Sequence, residues 1–178
     1  MKILVLFERI KNKIVREYRK KLFYYRTEQK ASLVGDIILI NTNLKFGKNV
    51  TIYPDVMLWG DGIIEIGDNV DIGTGTIIYS SKNGGGVHIG DNTIIAAQTY
   101  IIDCDHGIKA NELIQKQKNT VKEIFIGKDV WIGANVTVLK GSCIEDGAII
   151  GAKSLVKGKI EKNVIAVGIP AKEIKRRE

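Results

Sequence analysis

Histidine, cysteine, tryptophan, methionine and proline each occur only twice among the 178 residues of this chain. Cys104 and Cys143 stand thirty-nine positions apart and give neither a CxxC pair nor a disulfide framework, so a reducing cytoplasm is the expected setting. Long apolar runs are also missing: no stretch approaches the roughly 20 residues of a membrane span. The opening MKILVLF runs into ERIKNK without the small-residue cleavage site of a secretory signal. With 44% hydrophobic residues and a mean hydropathy near zero, the chain is neither disordered nor rich in membrane spans. Its length suits one domain around one core.

A net charge of +7 suggests nucleic acid at first, and its distribution removes that reading. Residues 1–30 hold ten Lys/Arg and three acids, whereas positions 31–178 hold seventeen of each sign. The N-terminal segment contains no Gly or Pro and spaces Leu6, Ile10, Ile14, Tyr18 and Leu22 at i, i+4, which predicts an amphipathic helix over 1–30. Its apolar stripe is expected to pack against the rest of the protein or a neighbouring subunit. Peripheral contact with acidic lipid head groups is the second reading. No nucleic-acid partner is expected, because no aromatic-interleaved basic motif follows.

Beyond residue 33 the period becomes six. The run IGKDVW, IGANVT, VLKGSC, IEDGAI, IGAKSL, VKGKIE places an aliphatic residue at Ile126, Ile132, Val138, Ile144, Ile150 and Val156. The same template appears upstream in triplets that start at Phe46, Ile52 and Leu58, at Ile66, Ile72 and Ile78, and at Ile89, Ile95 and Ile101. Register breaks after each third hexad. A hexad is a short strand plus a turn, and three of them close one triangular coil that stacks on the next through parallel ladders about 4.8 Å apart. The fold expected is a mainly β, parallel β-helix of about five coils. Aliphatic residues at position one and small ones at position five fill its interior. Gly at position two, with Asn or Asp near positions three and four, is read as supplying corners of positive φ.

This pattern, from about Leu44 to Pro170, resembles the hexapeptide-repeat, left-handed parallel β-helix family. The closing stretch IGKDVWIGANVTVLKGSCIEDGAIIGAKSLVKGKIEKNVIAVGIPAK is similar to its acyl-CoA-dependent sugar and surface-polysaccharide O-acetyltransferases. The left-handed sense is implied by that resemblance. The organisation expected is a basic helix over 1–30, a β-helix acyltransferase domain over 31–171 with a loop at 103–123, and a basic tail over 172–178.

The repeat itself carries no chemistry, so function is sought where it is interrupted. The largest interruption falls between Ile101 and Ile126, a charged loop of the kind that usually serves function, and His106 stands at its start. Acetyl transfer to an alcohol needs a base, since a hydroxyl is a poor nucleophile until its proton is taken. The resemblance implies that His106 is that base and that the hydroxyl attacks directly. Asp103 or Asp105 is the candidate to orient its imidazole, or to bind acceptor, and a backbone carbonyl would serve as well. His88 is read as structural. Neither Cys104 nor Cys143 is expected to carry an acyl group.

The implied donor is acetyl-CoA, a co-substrate, and no metal is expected. Trp131 matches the tryptophan at the thioester end of the channel in related enzymes. Gly133, Ala134 and Ala152 are small positions where backbone could approach the pantetheine arm, and Lys157, Lys172 and Lys175 are candidates for its phosphates. Related enzymes often carry Thr-Lys where Lys157-Gly158 stands, and Arg in place of Lys172 and Lys175. The acceptor-binding asparagine of galactoside-type enzymes is absent from DIGTGT, with Gly73 and Gly75 there, so a different sugar or glycan acceptor is expected. The resemblance further implies a homotrimer with sites between subunits, and the cysteine usage and the basic helix place the expected setting in the cytoplasm or at the inner face of its membrane.

Other readings remain. N-acetylation of an amino sugar or antibiotic uses the same chemistry. Serine acetyltransferase is disfavoured because its helical N-terminal domain does not fit into about thirty residues, and a nucleotide-binding domain because no GxGxxG precedes the repeats. The carbonic anhydrase built on this prism needs three histidine ligands per metal and the chain has two. A non-catalytic scaffold would call for an uninterrupted repeat, which the His106 loop contradicts.

Overall fold

The computed structural model describes residues 2–26, 28, 31–40, 43–83 and 85–178, excepting the side chains of Lys2, Ile3 and Arg26. The expected N-terminal helix is present over Lys2–Arg26; positions 1, 27, 29 and 30 of the expected span lie outside the described residues. The rest winds into a three-sided parallel β-helix whose faces are one eight-stranded and two six-stranded sheets.

The register explains why a six-residue period folds this way. On the first face Leu33, Ile52, Ile72, Ile95, Ile132, Ile150 and Ala166 pair in sequence from coil to coil. The second face aligns Leu39, Leu58, Ile78, Ile101, Val138 and Val156. The third aligns Phe46, Ile66, Ile89, Ile126, Ile144 and Ile160. Each of these hexad-leading side chains from Ile52 to Ala166 is buried. A buried isoleucine contributes about 1.5–3 kcal/mol by leaving water, so the three columns are the main source of stability.

Position five supplies the remaining filling at the corners. Val50, Val56, Val70, Val130, Val136 and Ala148 are fully or almost fully buried, and so are the hydroxyl-bearing Thr93, Thr99 and Ser142. Those hydroxyls are not left without partners: Thr93 Oγ1 donates to Gly127 O at 2.9 Å and Ser142 Oγ to Leu139 O at 2.6 Å.

Three expectations are corrected by the structure. There are six complete coils and the opening strand of a seventh, Val164–Gly168, rather than about five. The added coil at the start, through Leu33 and Leu39, lacks the GDN-type corners that made the others legible, and the last coil closes after a shortened step from Val156 to Ile160. Positive φ falls, as expected, on Asn and Asp at position four, among them Asn49, Asn69, Asn92, Asp129 and Asn135, but not on the glycines at position two. Glycine at position two answers a different need. A Cβ on Gly133 would lie 2.6 Å from Ala152 N on the coil above, so glycine there permits the close approach of successive coils.

The C-terminal stretch expected as a basic tail instead forms a strand, Ala171–Arg176, antiparallel to Val164–Gly168 at the end of the first face.

All the long interruptions of the hexads fall on one edge of the prism, between the second face and the third. The extended crossings follow Trp59, Tyr79 and Ile102, and the longest of them, at 103–123, carries His106.

Candidate active site

The 103–123 loop leaves the second face after Tyr100–Ile102 and rejoins the third at Ile124–Ile126. Its two ends form a small antiparallel ladder in which Cys104 pairs with Val121 and Asp105 with Thr120. Lys122 N donates to Asp103 O at 2.9 Å and continues that closure. Gln117 holds the interior, accepting from Lys109 N at 2.8 Å while its Nε2 donates to the carbonyls of Lys109 and Glu112. The excursion is therefore a braced hairpin. His106 follows the ladder directly and is exposed, with no side-chain hydrogen bond or ion pair to any described residue.

Asp103 lies at the root of the hairpin and is fully buried. Its carboxylate accepts from Ser81 N at 2.9 Å and from Ser80 Oγ at 2.9 Å, which ties the loop to the crossing one coil below. Burial pushes its carboxyl above the ordinary aspartate range, and the donors Ser81 and Ser80 oppose that shift. Asp105 is exposed and pairs with Lys140 at 3.0 Å; Lys140 also donates to Thr120. Within one chain neither aspartate is hydrogen-bonded to His106.

The two cysteines lie on different elements, Cys104 in the ladder of the hairpin and Cys143 on the third face. Cys104 is buried, and burial, then the neighbouring charges of Asp103 and Asp105, push its thiol up, which keeps it protonated. Cys143 is half-buried on the third face, in register with Phe125 and Lys159. His88 points outward from the same face, with its Nδ1 2.9 Å from Glu65 Oε2 and its ring stacked on Phe125. Hydrogen bonds from Lys45 and then His88 hold the Glu65 carboxyl below its usual range. Among the described residues no cluster of three or more His, Cys, Asp or Glu is placed to hold a metal ion.

Of the residues proposed for donor contact, three come together. Gly133 and Ala134 turn the corner between the first and second faces, and Ala152 takes the same corner on the next coil, joined to them by Lys153 N donating to Ala134 O at 2.9 Å. Ala97 continues the line below, its carbonyl accepting from Asn135 N at 3.0 Å. The result is a shallow strip of small side chains running along the prism axis. Trp131 stands exposed on the first face between Ile94 and Ile149. Lys157 is exposed beyond the second face of the sixth coil, and Lys172 and Lys175 are exposed on the final antiparallel strand, opposite Val167 and Ile165. Trp131 and the His106 hairpin thus belong to different faces of one prism.

Several residues that brace or adjoin the hairpin escaped the sequence reading. Ser80, Ser81 and Lys140 brace the hairpin, yet no spacing rule links them to residues 103–105. Trp59 and Tyr79 pack edge to face at 5.2 Å on the outer side of the second face, and Tyr79 is in register with Ile102 at the root of the loop. The available signal was two aromatics at outward positions of successive coils.

Two family models match, that of the bacterial transferase hexapeptide (six repeats) over residues 123–158 and that of the hexapeptide repeat of succinyl-transferase over residues 63–102. The chain is 35% identical to WbbJ of Escherichia coli, a protein named for lipopolysaccharide biosynthesis O-acetyl transfer, across 75% of this chain and 72% of that one. It is 34% identical to the dTDP-4-amino-4,6-dideoxy-D-glucose acyltransferase of Escherichia coli, across 76% and 72%. A point mutant of AntD, an N-acyltransferase from Bacillus cereus solved with dTDP-4-amino-4,6-dideoxyglucose and coenzyme A, superposes with a TM-score of 0.73 at 25% identity, covering 83% of this chain and 82% of that one. The three hexad columns, the one long excursion and these relatives together establish that the chain belongs to the hexapeptide-repeat, left-handed β-helix acetyltransferases.

Proposed function

We propose that this protein transfers acetyl from acetyl-CoA to a hydroxyl of a sugar or surface-glycan precursor, with His106 as general base. The observation that carries this reading is the braced hairpin at 103–123, which presents an exposed histidine on an otherwise regular prism. In the reaction His106 takes the proton of the acceptor hydroxyl as its oxygen attacks the acetyl carbonyl. A carbon–oxygen bond forms, the thioester carbon–sulfur bond breaks, and the proton passes from the imidazolium to the leaving sulfur. Asp105, or Asp103 through its hold on the loop, positions the imidazole.

The donor fits the small-residue strip. Gly133, Ala134 and Ala152 offer backbone without bulky side chains along the axis, the shape an extended pantetheine arm requires. Trp131 would lie at its thioester end and Lys157, Lys172 and Lys175 near its phosphates. Because Trp131 and His106 belong to different faces, a site that uses both draws them from two chains, which favours a homotrimer with sites between prisms. Trp59 and Tyr79 offer flat apolar surface for a sugar ring. The reading also carries a cytoplasmic location, with residues 1–30 in peripheral contact with the inner face of a membrane.

A second reading, N-acetylation of an amino sugar, is favoured by the two relatives named for amino-sugar and N-acyl transfer. Incubation with acetyl-CoA and paired hydroxyl and amino sugars, followed by mass spectrometry before and after mild base, separates the two. A base-labile ester on the hydroxyl sugar is expected. A base-stable amide as the only product would transfer the assignment to nitrogen, and no acetylated product from any sugar would overturn both.

A further inference from the structure

The N-terminal helix turns the wrong side to its own protein. Its prism-facing side carries Asn12, Arg16, Arg19 and Phe23, which with Val15 and Leu22 at its flank line a groove against Leu33–Ile40. Arg16 reaches Asp36 at 3.9 Å, and among the described side chains of the helix Phe23 alone is fully buried, edge-on to Phe46 at 5.8 Å. At 3.6 residues per turn, Phe7, Ile10, Ile14 and Tyr18 fall on the opposite side of the cylinder, pointing away from the prism. They are between 49% and 69% exposed. Of the stripe expected to pack against the rest of the chain, Leu22 alone reaches the groove and is half-buried, while Leu6, Ile10, Ile14 and Tyr18 stay exposed. Four large apolar side chains in line form a surface made to be covered.

We infer that an anionic lipid surface covers it, with the helix lying in the plane of the interface. Two features choose lipid over a second copy of the chain. Lys11 and Lys21 stand inside the stripe, Lys11 four positions after Phe7 and Lys21 three after Tyr18. A dry protein contact would have to bury or pair their ammonium groups, whereas at a bilayer their long stems lie along the acyl boundary and the heads reach phosphate. The charge distribution agrees. The helix segment holds the whole +7 and residues 31–178 balance at seventeen of each sign, so another prism offers no net compensation and an acidic membrane does. Among the described residues no helix is long and apolar enough to cross a membrane. A single interfacial helix binds weakly, and the proposed homotrimer would add three in one plane.

This inference builds on the membrane-side location proposed above and does not depend on the acetyl transfer, which a separate assay reads. The full chain is floated with phosphatidylcholine vesicles, with and without phosphatidylglycerol, at low and high salt. Co-flotation is expected only with phosphatidylglycerol and should weaken with salt. Ile10→Glu with Ile14→Glu should abolish it, and Lys11→Gln or Lys21→Gln should each lower partition about fivefold, the equivalent of about 1 kcal/mol. Thiol release from acetyl-CoA with a soluble acceptor should be unchanged in these variants, which separates a failure here from a failure of the catalytic reading. Equal recovery with both lipids, recovery with neither, or full recovery of the double Glu variant would overturn the inference. So would a smaller molecular mass of that variant in lipid-free buffer, which would assign the stripe to a contact between copies.

Discussion

The carboxylate of Asp103 accepts the backbone N–H of Ser81 at 2.9 Å and thereby fastens the start of the histidine-bearing hairpin to the coil beneath it. Both groups are buried, with the Ser80 hydroxyl completing the cradle. Asp103→Ala would leave two buried donors without an acceptor, each worth about 1–3 kcal/mol. The expected outcome is a lower denaturant midpoint and a large loss of acetyl transfer, because His106 stands three residues further along. Equilibrium unfolding and steady-state rates measured on the same preparation check this; a variant with wild-type midpoint would remove the cradle from the account.

The same aspartate predicts a pH effect of definite sign. Burial raises its carboxyl in the folded state, so the folded protein holds that proton more tightly than the unfolded chain does. This contribution to stability is present at low pH and is lost as pH rises from the ordinary aspartate value of about 3.9 through the raised folded value. Asp103→Asn keeps an acceptor for Ser81 and carries no charge. Its denaturant midpoint should gain on the wild type as pH rises across that window, and parallel curves for the two proteins would contradict the prediction.

Gly133 tests the close stacking of coils. Its absent side chain leaves room for Ala152 N, which a Cβ would approach to 2.6 Å. Gly133→Val should cost at least the about 1–3 kcal/mol typical of overpacking and should also raise the KM for acetyl-CoA if the strip holds the pantetheine arm. Calorimetry and donor titration report the two effects separately.

Lys140 links Asp105 to the loop's return strand through Thr120, in a pair still open to solvent. Lys140→Ala should therefore change the melting temperature little, since exposed ion pairs contribute about 0–1 kcal/mol. Its effect should appear in kcat, as a looser hairpin presents His106 less consistently. A large stability loss with unchanged kcat would reverse that order.

What could be read from the residues alone follows from what a period can encode. The columns from Phe46 to Val156 were legible because an aliphatic residue recurs every six positions, and the breaks after Leu58, Ile78 and Ile101 located the edge that carries His106. The coil through Leu33 and Leu39 escaped because its corners lack Asn and Gly in register. The role of position-two glycines was misassigned because a neighbouring coil's backbone leaves no mark on local sequence. Contacts such as Asp103 with Ser81, or Gln117 with Lys109 and Glu112, are set by the path of an irregular hairpin. Which side of the helix meets the prism was equally hidden: the stripe was plain in the sequence, but its direction depends on where Phe23 is seated.

The central claim is that His106 takes the acceptor's proton, and free-thiol release from acetyl-CoA in the presence of a hydroxyl-bearing sugar tests it most directly. A general base contributes about 10²- to 10⁴-fold. His106→Ala should lose turnover by that factor while retaining the wild-type melting temperature, since the imidazole is exposed and makes no hydrogen bond or ion pair with a described residue. Turnover of the variant equal to that of the wild type, on the same acceptor and at the same pH, would contradict the account.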